Sequence, residues 1–398
     1  MAKGDSMMEQ SQDQRHHSSP SLLHLFTSFL RLGATAFGGP AMVAYIRKMA
    51  VEKKQWLDET SAHDGVALCQ TIPGATAIQM SAYVGLRTRG IAGAAASFVG
   101  FGLPAFLFMM ILSALYARTH TLPAVVSIFN GLQAVIIAIM ANATLSFGKT
   151  SIKNRRNIIN AIVAAVLFGL KVNPILVIAV AAMLGVILYA KQPHHPTVNP
   201  TYKGDAPKSL FLLLSATGIG FGVLYFLDRR LFDLATLMFR IDLFAFGGGF
   251  ASVPLMFHEV VQVRSWLDGP TLLNGIVLGQ VTPGPIVITA TFIGYLLKGP
   301  LGGLIATICV FLPSFIIVVG IVPYFDRLRS SPYFKKVITG ILCSFVGLLL
   351  TVTIRFALNI PWDLPRILLS GAAFIALVLK VDILWVVLAG TVISLIIL

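Results

Sequence analysis

The chain has 398 residues, of which 56% are hydrophobic and only 12% charged, and its mean hydropathy is +0.84. A soluble protein carries about twice that charged fraction, so the composition excludes an ordinary soluble domain and predicts an all-α polytopic membrane protein. The formal net charge of +14 fits basic loops beside anionic lipid better than nucleic-acid binding, because the basic residues lie between apolar runs.

In chain order, a polar tail at residues 1–20 lacks the apolar core of a signal peptide. About 13 apolar segments follow. In the first half they cover residues 22–46, 61–86, 92–116, 124–147, 157–171 and 174–190; a connecting segment covers 209–227; in the second half they cover 231–257, 271–297, 301–324, 334–357, 366–380 and 383–398. The last two segments of each half are short, so each pair forms either two crossings or one tight hairpin.

The two halves repeat the same motifs at a constant offset of about 210 residues, which is typical of secondary transporters with an internal duplication. Arg31 and Phe37-Gly38-Gly39-Pro40 return as Arg240 and Phe246-Gly247-Gly248-Gly249; Trp56-Leu57-Asp58 returns as Trp266-Leu267-Asp268; Gln70 and Pro73-Gly74 return as Gln280 and Pro283-Gly284. The predicted organisation is therefore a cytoplasmic tail (1–20), an N-terminal repeat (21–190), a linker with a connecting transmembrane helix (191–230) and a C-terminal repeat (231–398).

The connecting segment puts the second repeat upside down, so we predict two inverted-topology repeats with broken, re-entrant helices. With a cytoplasmic N-terminus, most lysines and arginines then lie on the cytoplasmic side. This assignment lets segment 22–46 fold back at Gly38-Gly39-Pro40 and segment 61–86 fold back at Pro73-Gly74. The most basic loops, Lys149–Arg156 and Arg327–Lys336, join different segment pairs in the two repeats, as inversion requires.

The glycine and proline interruptions are the candidate binding site. Interrupted membrane helices expose backbone groups that must face protein or a wet cavity, and helix N-termini at such breaks attract anions. The alternative is that the glycines permit close helix packing and the prolines produce kinks. The predicted substrate-binding residues are Arg31, Phe37, Gly38, Gly39, Pro40, Gln70, Thr71, Pro73, Gly74, Arg240, Phe246, Gly247, Gly248, Gly249, Gln280, Thr282, Pro283, Gly284 and Pro285.

Several of these residues have structural alternatives. The arginines could bind an oxyanion, extend to the interface or form a structural salt bridge. The glutamine and threonine side chains could bind the anion or only cap and link helices. Asp242, beside a break, is the coupling candidate, but it could instead be a fixed partner of Arg240. Trp56 and Trp266 predict interface anchors, and Asp58 and Asp268 predict helix caps.

Enzyme and metal signatures are missing from the sequence. There is no HExxH, no GxSxG and no glycine-rich phosphate loop with a lysine. Cys69, Cys309 and Cys343 lie in apolar stretches without a CxxC or Cys/His spacing, which predicts packing residues. We therefore expect no enzymatic activity, no cofactor, no metal and no nucleic-acid partner.

The order of these motifs, together with Gly102-Leu103-Pro104, resembles the two-domain members of the chromate ion transporter family over about residues 22–398. One departure is Pro73-Gly74-Ala75, where the family often has Pro-Gly-Pro. The resemblance implies an inner-membrane protein that exports chromate and confers chromate resistance, in some relation to sulfate. A sulfate permease or exchanger, an anion channel and a membrane scaffold are the alternatives, and a homodimer is possible for such a carrier.

Overall fold

The structure, a computed structural model, describes residues 20–37, 40–189, 206–325 and 331–397. The predictions made for residues 1–19, for residues 191–205 of the linker, for residues 327–330 of the second basic loop and for Gly38 and Gly39 lie outside the described residues.

The described residues form fifteen α-helices. They are α1 (Leu22–Thr35), α2 (Pro40–Arg47), α3 (Glu59–Thr71), α4 (Thr76–Thr119), α5 (Pro123–Ser151), α6 (Arg155–Gly169), α7 (Pro174–Leu188), α8 (Ala206–Leu227), α9 (Arg229–Leu243), α10 (Ser252–Met256), α11 (Gly269–Val281), α12 (Thr289–Ile321), α13 (Pro332–Leu358), α14 (Leu364–Val378) and α15 (Ile383–Ile397). A π-helical turn extends α2 over Lys48–Lys53 and α10 over Phe257–Val263, and 3-10 turns at Gly249–Ala251 and Ile286–Ile288 precede α10 and α12.

All four predicted interruptions are present. Helix α1 ends at Thr35 and α2 begins at Pro40, while α3 and α4 are separated at residues 72–75. The equivalent interruptions in the second half lie between α9 and α10 and between α11 and α12. Gly74 and Gly284 have φ values of 115° and 107°, which side chains strongly disfavour, so glycine ends the helix at the same place in both repeats.

Each interrupted segment of the first half folds back on itself. His24 Nε2, near the start of α1, lies 3.3 Å from Lys54 Nζ, which follows α2. The Tyr83 hydroxyl, on α4, donates to the Ser61 carbonyl at the start of α3 over 2.9 Å. Both segments are therefore re-entrant hairpins with their interruptions at the tips, and the predicted fold-backs are confirmed.

Helices α4 and α12 also fold back, at a glycine that has the same conformation in both repeats. Gly90 has φ 63° and ψ −153°, and Gly299 has φ 62° and ψ −154°. Ser97 Oγ donates to the Ser81 carbonyl over 2.7 Å. Sixteen residues of straight helix would separate these groups by about 24 Å, so the chain reverses between them.

The resulting count of crossings inverts the second half. Five helical segments among the described residues are long and apolar enough to span a membrane: Thr76–Thr119, Pro123–Ser151, Leu210–Leu227, Ile286–Ile321 and Tyr333–Leu358. Three crossings lie between the re-entrant hairpins of the first half and those of the second: residues 91–119, after the fold-back at Gly90, and then the second and third of these segments. An odd number of crossings places the two sets of hairpins on opposite sides of the membrane, as the sequence predicted.

The short terminal helices are exchanged between the halves. Helices α6 and α7 pack against α13 of the second half, and α14 and α15 pack against α5 of the first. Each of these helices has 15 residues, which is about 22 Å and less than the ~30 Å hydrocarbon core. Lys171 and Lys380, with φ values of 64° and 66°, turn the chain between the two helices of each pair. The pairs are tight hairpins.

The inverted topology can be tested by labelling two matched residues. Arg89 and Lys298 precede the equivalent glycines Gly90 and Gly299, so Arg89→Cys and Lys298→Cys place thiols on opposite membrane faces. We expect a membrane-impermeant maleimide to label the first variant only in vesicles of one orientation and the second only in the other. The three native cysteines are buried and give a low background in the parent protein. Labelling of both variants from the same face would contradict the inversion.

Candidate functional site

The tips of the re-entrant hairpins meet between the two halves and exchange backbone hydrogen bonds. The Gly74 N–H donates to the Ala245 carbonyl over 2.8 Å, and Pro73 and Phe246 form an antiparallel bridge. We call this contact, Pro73–Ala75 with Ala245–Phe246, the first crossover. The Gly284 N–H donates to the Ala36 carbonyl over 3.1 Å. This second crossover, Gly284–Pro285 with Ala36–Phe37, repeats the same bond with the halves exchanged.

Further contacts join the interruptions into one assembly. A Cβ built on Gly248 would lie 3.2 Å from Thr76 Oγ1, so the glycine turn of the second half touches the start of α4. A Cβ on Gly249 would lie 2.9 Å from the Ile286 side chain, which connects that turn to the start of α12. The structure thus brings together predicted residues of three interruptions, and the Ala36 carbonyl joins the fourth interruption to them.

The elements that form this assembly carry hydrogen-bond donors that have no acceptor among the described residues. Gly247 and Gly248, with φ values of 95° and 97°, form the turn before α10, and their N–H groups donate to no acceptor among the described residues. The first N–H groups of α4, from Thr76 onward, have no partner within the helix. Gln280 Nε2 is buried and has no acceptor in the described part of the chain. Successive free N–H groups and a helix N-terminus form the kind of concavity that binds anions.

The first crossover also contains a fully buried acid. Asp242 Oδ2 accepts hydrogen bonds from the Ser314 N–H, over 3.0 Å, and from Ser314 Oγ, over 2.6 Å. Ser314 Oγ in turn accepts from the Ala75 N–H over 3.2 Å. Pro313 disrupts the hydrogen bonding of α12 at this point, and the N–H of the next residue bonds the carboxylate. Asp242 therefore connects α9, α12 and the hairpin tip of the first half.

The second crossover lacks this polar connection. The equivalents of Asp242 and Ser314 in the first half are Gly33 and Ala105. The equivalent of Gln79 in the second half is Thr289. A Cβ built on Gly284 would meet the Ala105 methyl at 2.8 Å, whereas a Cβ on Gly74 would meet Ser314 Oγ at 2.2 Å. The two crossovers share their backbone geometry and differ in their side-chain chemistry.

The arginines lie away from the crossovers. The Arg31 side chain is exposed. The Arg240 side chain is 40% exposed, and its nitrogen lies 3.8 Å from Glu259, which also pairs with Arg264. The alternative that Asp242 is a fixed partner of Arg240 is wrong, because two residues along a helix point to nearly opposite faces.

Other predicted side chains form local contacts. Gln70 is exposed. Thr71 Oγ1 donates to the Ala67 carbonyl over 2.6 Å and Thr282 Oγ1 to the Gly279 carbonyl over 3.0 Å, so both hydroxyls already bond their own helices. Pro283 and Pro285 are buried at the tip, and Phe37 and Phe246 are partly buried.

The predicted caps are present. Asp58 and Asp268 accept from the N–H groups of Ser61, over 2.7 Å, and Thr271, over 2.8 Å, at the starts of α3 and α11. The Ser61 N–H holds the pKa of the Asp58 carboxyl below its ordinary value. These residues shape the entry to each hairpin and do not reach its tip.

The sequence reasoning missed Ser314 and Thr76. Their signal is a difference between the aligned repeats, since Pro104-Ala105 becomes Pro313-Ser314 and Thr76 becomes Ile286. A polar residue in one repeat and an apolar residue in the other, next to a shared break, marks a position that only one crossover uses.

Re-entrant hairpins meeting between two inverted halves of a helical bundle define a membrane transport protein with internal duplication. The chain belongs to the chromate transporter family, whose model, described as Chromate transporter, matches residues 23–186 and again residues 232–395. No solved structure matches the chain.

Similar proteins support the same assignment over nearly the full length. An uncharacterized transporter of Methanocaldococcus jannaschii is 44% identical over 388 residues, 96% of each chain. The chromate transport protein of Cupriavidus metallidurans is 30% identical over 370 residues, covering 92% of this chain and 90% of that protein. The chromate transport protein of Pseudomonas aeruginosa is 29% identical over 381 residues, covering 88% and 85%.

The first crossover can be tested with two matched glycines of positive φ. A Cβ at Gly74 would collide with Ser314 Oγ at 2.2 Å and Gln79 Nε2 at 2.5 Å, whereas a Cβ at Gly90 meets nothing within 4 Å. We expect Gly74→Ala to destabilise the protein by about 3 kcal/mol or more, from backbone strain plus overpacking, and Gly90→Ala by about 1–2 kcal/mol from strain alone. Thermal unfolding in detergent measures both. Equal losses would show that the crossover tolerates added volume.

Proposed function

We propose that this protein is a secondary active transporter that exports chromate across the cell inner membrane and confers chromate resistance. The observation that carries the proposal is the meeting of the helix interruptions at the two crossovers, with unused donors beside them, in a chain of the chromate transporter family. The proposed site is formed by the N–H groups of Gly247 and Gly248, the start of α4 and the Gln280 amide.

The chemistry of the donors supports a divalent oxyanion. Chromate presents four oxygens in a tetrahedron and accepts hydrogen bonds in several directions, which suits N–H groups converging from different elements. Backbone donors and a neutral amide bind a doubly charged anion without themselves adding a fixed counter-charge. Sulfate has the same shape and charge, so a sulfate exchanger is the second candidate for the same site.

We assign the two arginines to the electrostatic field around the site. Arg31 and Arg240 lie six residues before the tips, on partly exposed surfaces of α1 and α9. Positive groups near a binding site raise the local concentration of an anion there without contacting the bound anion. Glu259 offsets part of the charge of Arg240, and the equivalent position in the first half is Met49, so the field is unequal in the two halves.

We further propose that the N-terminus is cytoplasmic. The basic loops at Lys149–Arg156 and Arg327–Lys336 then face the cytoplasm, in agreement with the positive-inside rule.

The protein would act in the bilayer as a monomer or a homodimer. The mass of the protein in nanodiscs distinguishes the two.

The proposed function is tested with purified protein in liposomes. We expect uptake of labelled chromate that is stimulated by chromate or sulfate on the opposite side, because a carrier with one alternating site returns faster when loaded. Liposomes containing the thermally inactivated protein are the control. No chromate flux under any imposed gradient would reject the proposal, and unitary currents at channel rates would reject a carrier.

The anion site is tested with a pair of equivalent glutamines. Gln280 Nε2 is buried without an acceptor, whereas Gln70 is exposed. We expect Gln280→Leu to raise the KM for chromate about tenfold or more, since a hydrogen bond to a charged group contributes about 1.5–3 kcal/mol. We expect Gln70→Leu to have a smaller effect. An unchanged KM in Gln280→Leu, with folding confirmed by thermal unfolding, would remove this amide from the site.

A further inference from the structure

Two buried acceptor oxygens lie unused at the first crossover. Asp242 and Gln79 are both 0% exposed, and Asp242 Oδ1 and Gln79 Oε1 have no hydrogen-bond donor among the described residues. The two side chains meet at Gly74, where a built Cβ would lie 2.5 Å from Gln79 Nε2 and 3.1 Å from Asp242 Oδ2. Each side chain is held by its other polar atom, Asp242 by Ser314 and Gln79 by the Pro73 carbonyl.

Asp242 has no cationic partner in the described part of the chain. Three cations on the surrounding helices are engaged elsewhere: Arg240 pairs with Glu259 at 3.8 Å, Lys298 pairs with Asp228 at 2.7 Å, and Arg87 donates to Ser61 Oγ over 3.2 Å. The further titratable side chains on α4 and α12 include Tyr83, which donates to the Ser61 carbonyl, and Cys309. An ionised carboxylate removed from water without a cation is costly, so this site calls for a positive ligand.

The number of free oxygens favours a proton over a metal cation. A metal ion held by oxygen atoms requires several ligands, about six or more for calcium. Among the described side chains at this crossover, Asp242 Oδ1 and Gln79 Oε1 are the unpaired oxygens, since Ser314 Oγ already accepts from Ala75 and donates to Asp242. A single proton on Oδ1 removes the charge of the carboxylate and converts an orphaned acceptor into a donor.

We propose that Asp242, with Gln79 and Ser314, is a proton-binding site that couples proton movement to anion transport. The proposal rests on the proposed transport function and adds the coupling ion and its location. Hydronium on one side gives up a proton and leaves water, an O–H bond forms at Asp242 Oδ1, and that bond breaks when the proton passes to water on the other side.

The hydrogen bonds of Asp242 connect this proton to the hairpin tips. Ser314 joins the carboxylate to the Ala75 N–H at the tip of the first half. Hydrogen bonds to an ionised carboxylate are roughly twice as strong as those to a neutral group. Proton uptake therefore weakens the bond between Ser314 and Asp242 and loosens the first crossover, while release tightens it. The second crossover, with Gly33 and Ala105, has no such response.

The experiment compares chromate flux in liposomes under pH gradients of opposite sign. A gradient of one pH unit shifts the chromate accumulation ratio by up to about tenfold per coupled proton, and we expect this shift in the parent protein. In Asp242→Asn the shift is lost, because the amide cannot take up the proton. Asp233→Asn, an exposed acid on the same helix, is the matched control and retains the shift.

Two further variants convert the first crossover to the chemistry of the second. Ser314→Ala and Gln79→Thr introduce the residues found at the equivalent places, so the fold accommodates them at one crossover already. We expect each to change the pH at which flux is half-maximal. An infrared titration reads the proton directly, through the component of the protonated-carboxyl band that is present in the parent protein and lost in Asp242→Asn.

The outcomes separate this proposal from the transport function. Chromate flux that does not respond to the sign of the pH gradient rejects the proton site and leaves the transport function standing. A shift that persists in folded Asp242→Asn, or a flux that requires sodium in place of a pH gradient, also rejects it. If Asp242→Asn does not fold, an infrared titration of the parent protein in which all protonated-carboxyl bands appear only at the acid pH of exposed acids rejects the proposal independently.

Discussion

Two reciprocal hydrogen bonds, from the Gly74 N–H to the Ala245 carbonyl and from the Gly284 N–H to the Ala36 carbonyl, are the constraint on which the fold depends. A helix that stops in the membrane leaves backbone groups that lipid cannot bond, and each unsatisfied group costs several kcal/mol. Here the missing partner of each glycine comes from the opposite half. Neither half satisfies its own tips, so the two repeats are stable in the membrane only when they are assembled together.

The exchanged terminal hairpins extend the same dependence to the rest of the bundle. Helices α6 and α7 lie against α13, and Arg355 on α13 donates to the carbonyls of Phe168 and Gly169 at the end of α6 over 3.0 and 2.9 Å. The glycines Gly185 and Gly340 bring α7 and α13 into close backbone contact. Moving one sequence repeat as a rigid body would break these contacts. The bundle therefore does not divide into two separate bodies along the sequence repeats, because terminal helices of each half pack against the other half.

The parts of the fold that local chemistry determines could be predicted from the sequence. Gly-Gly-Pro and Pro-Gly stop a helix wherever they stand, and a duplicated stop at Pro73-Gly74 and Pro283-Gly284 locates both hairpin tips. The direction of a side chain across the bundle could not be predicted. Arg240 bonds Glu259 across the hairpin and not Asp242, its neighbour in sequence, while Ser314 reaches Asp242 from a helix whose packing no local pattern specifies. Ser314 was visible only as a serine facing an alanine in the other repeat.

Because the two crossovers differ in their side chains, the outward-facing and inward-facing states of the duplicated fold differ in free energy. In a perfectly inverted repeat, exchanging the two halves converts the outward-facing state into the inward-facing one, so the two states have equal energy. Asp242, Ser314 and Gln79 break that equality, because the first crossover has a buried carboxyl bonded to Ser314 and the second has Gly33 and Ala105. The state in which the first crossover is tighter then gains free energy from the hydrogen bond between Asp242 and Ser314. The mirror state has no equivalent bond at the second crossover. A ligand that changes the charge of Asp242 changes the strength of this bond. It thereby shifts the equilibrium between the two states without binding at the anion site.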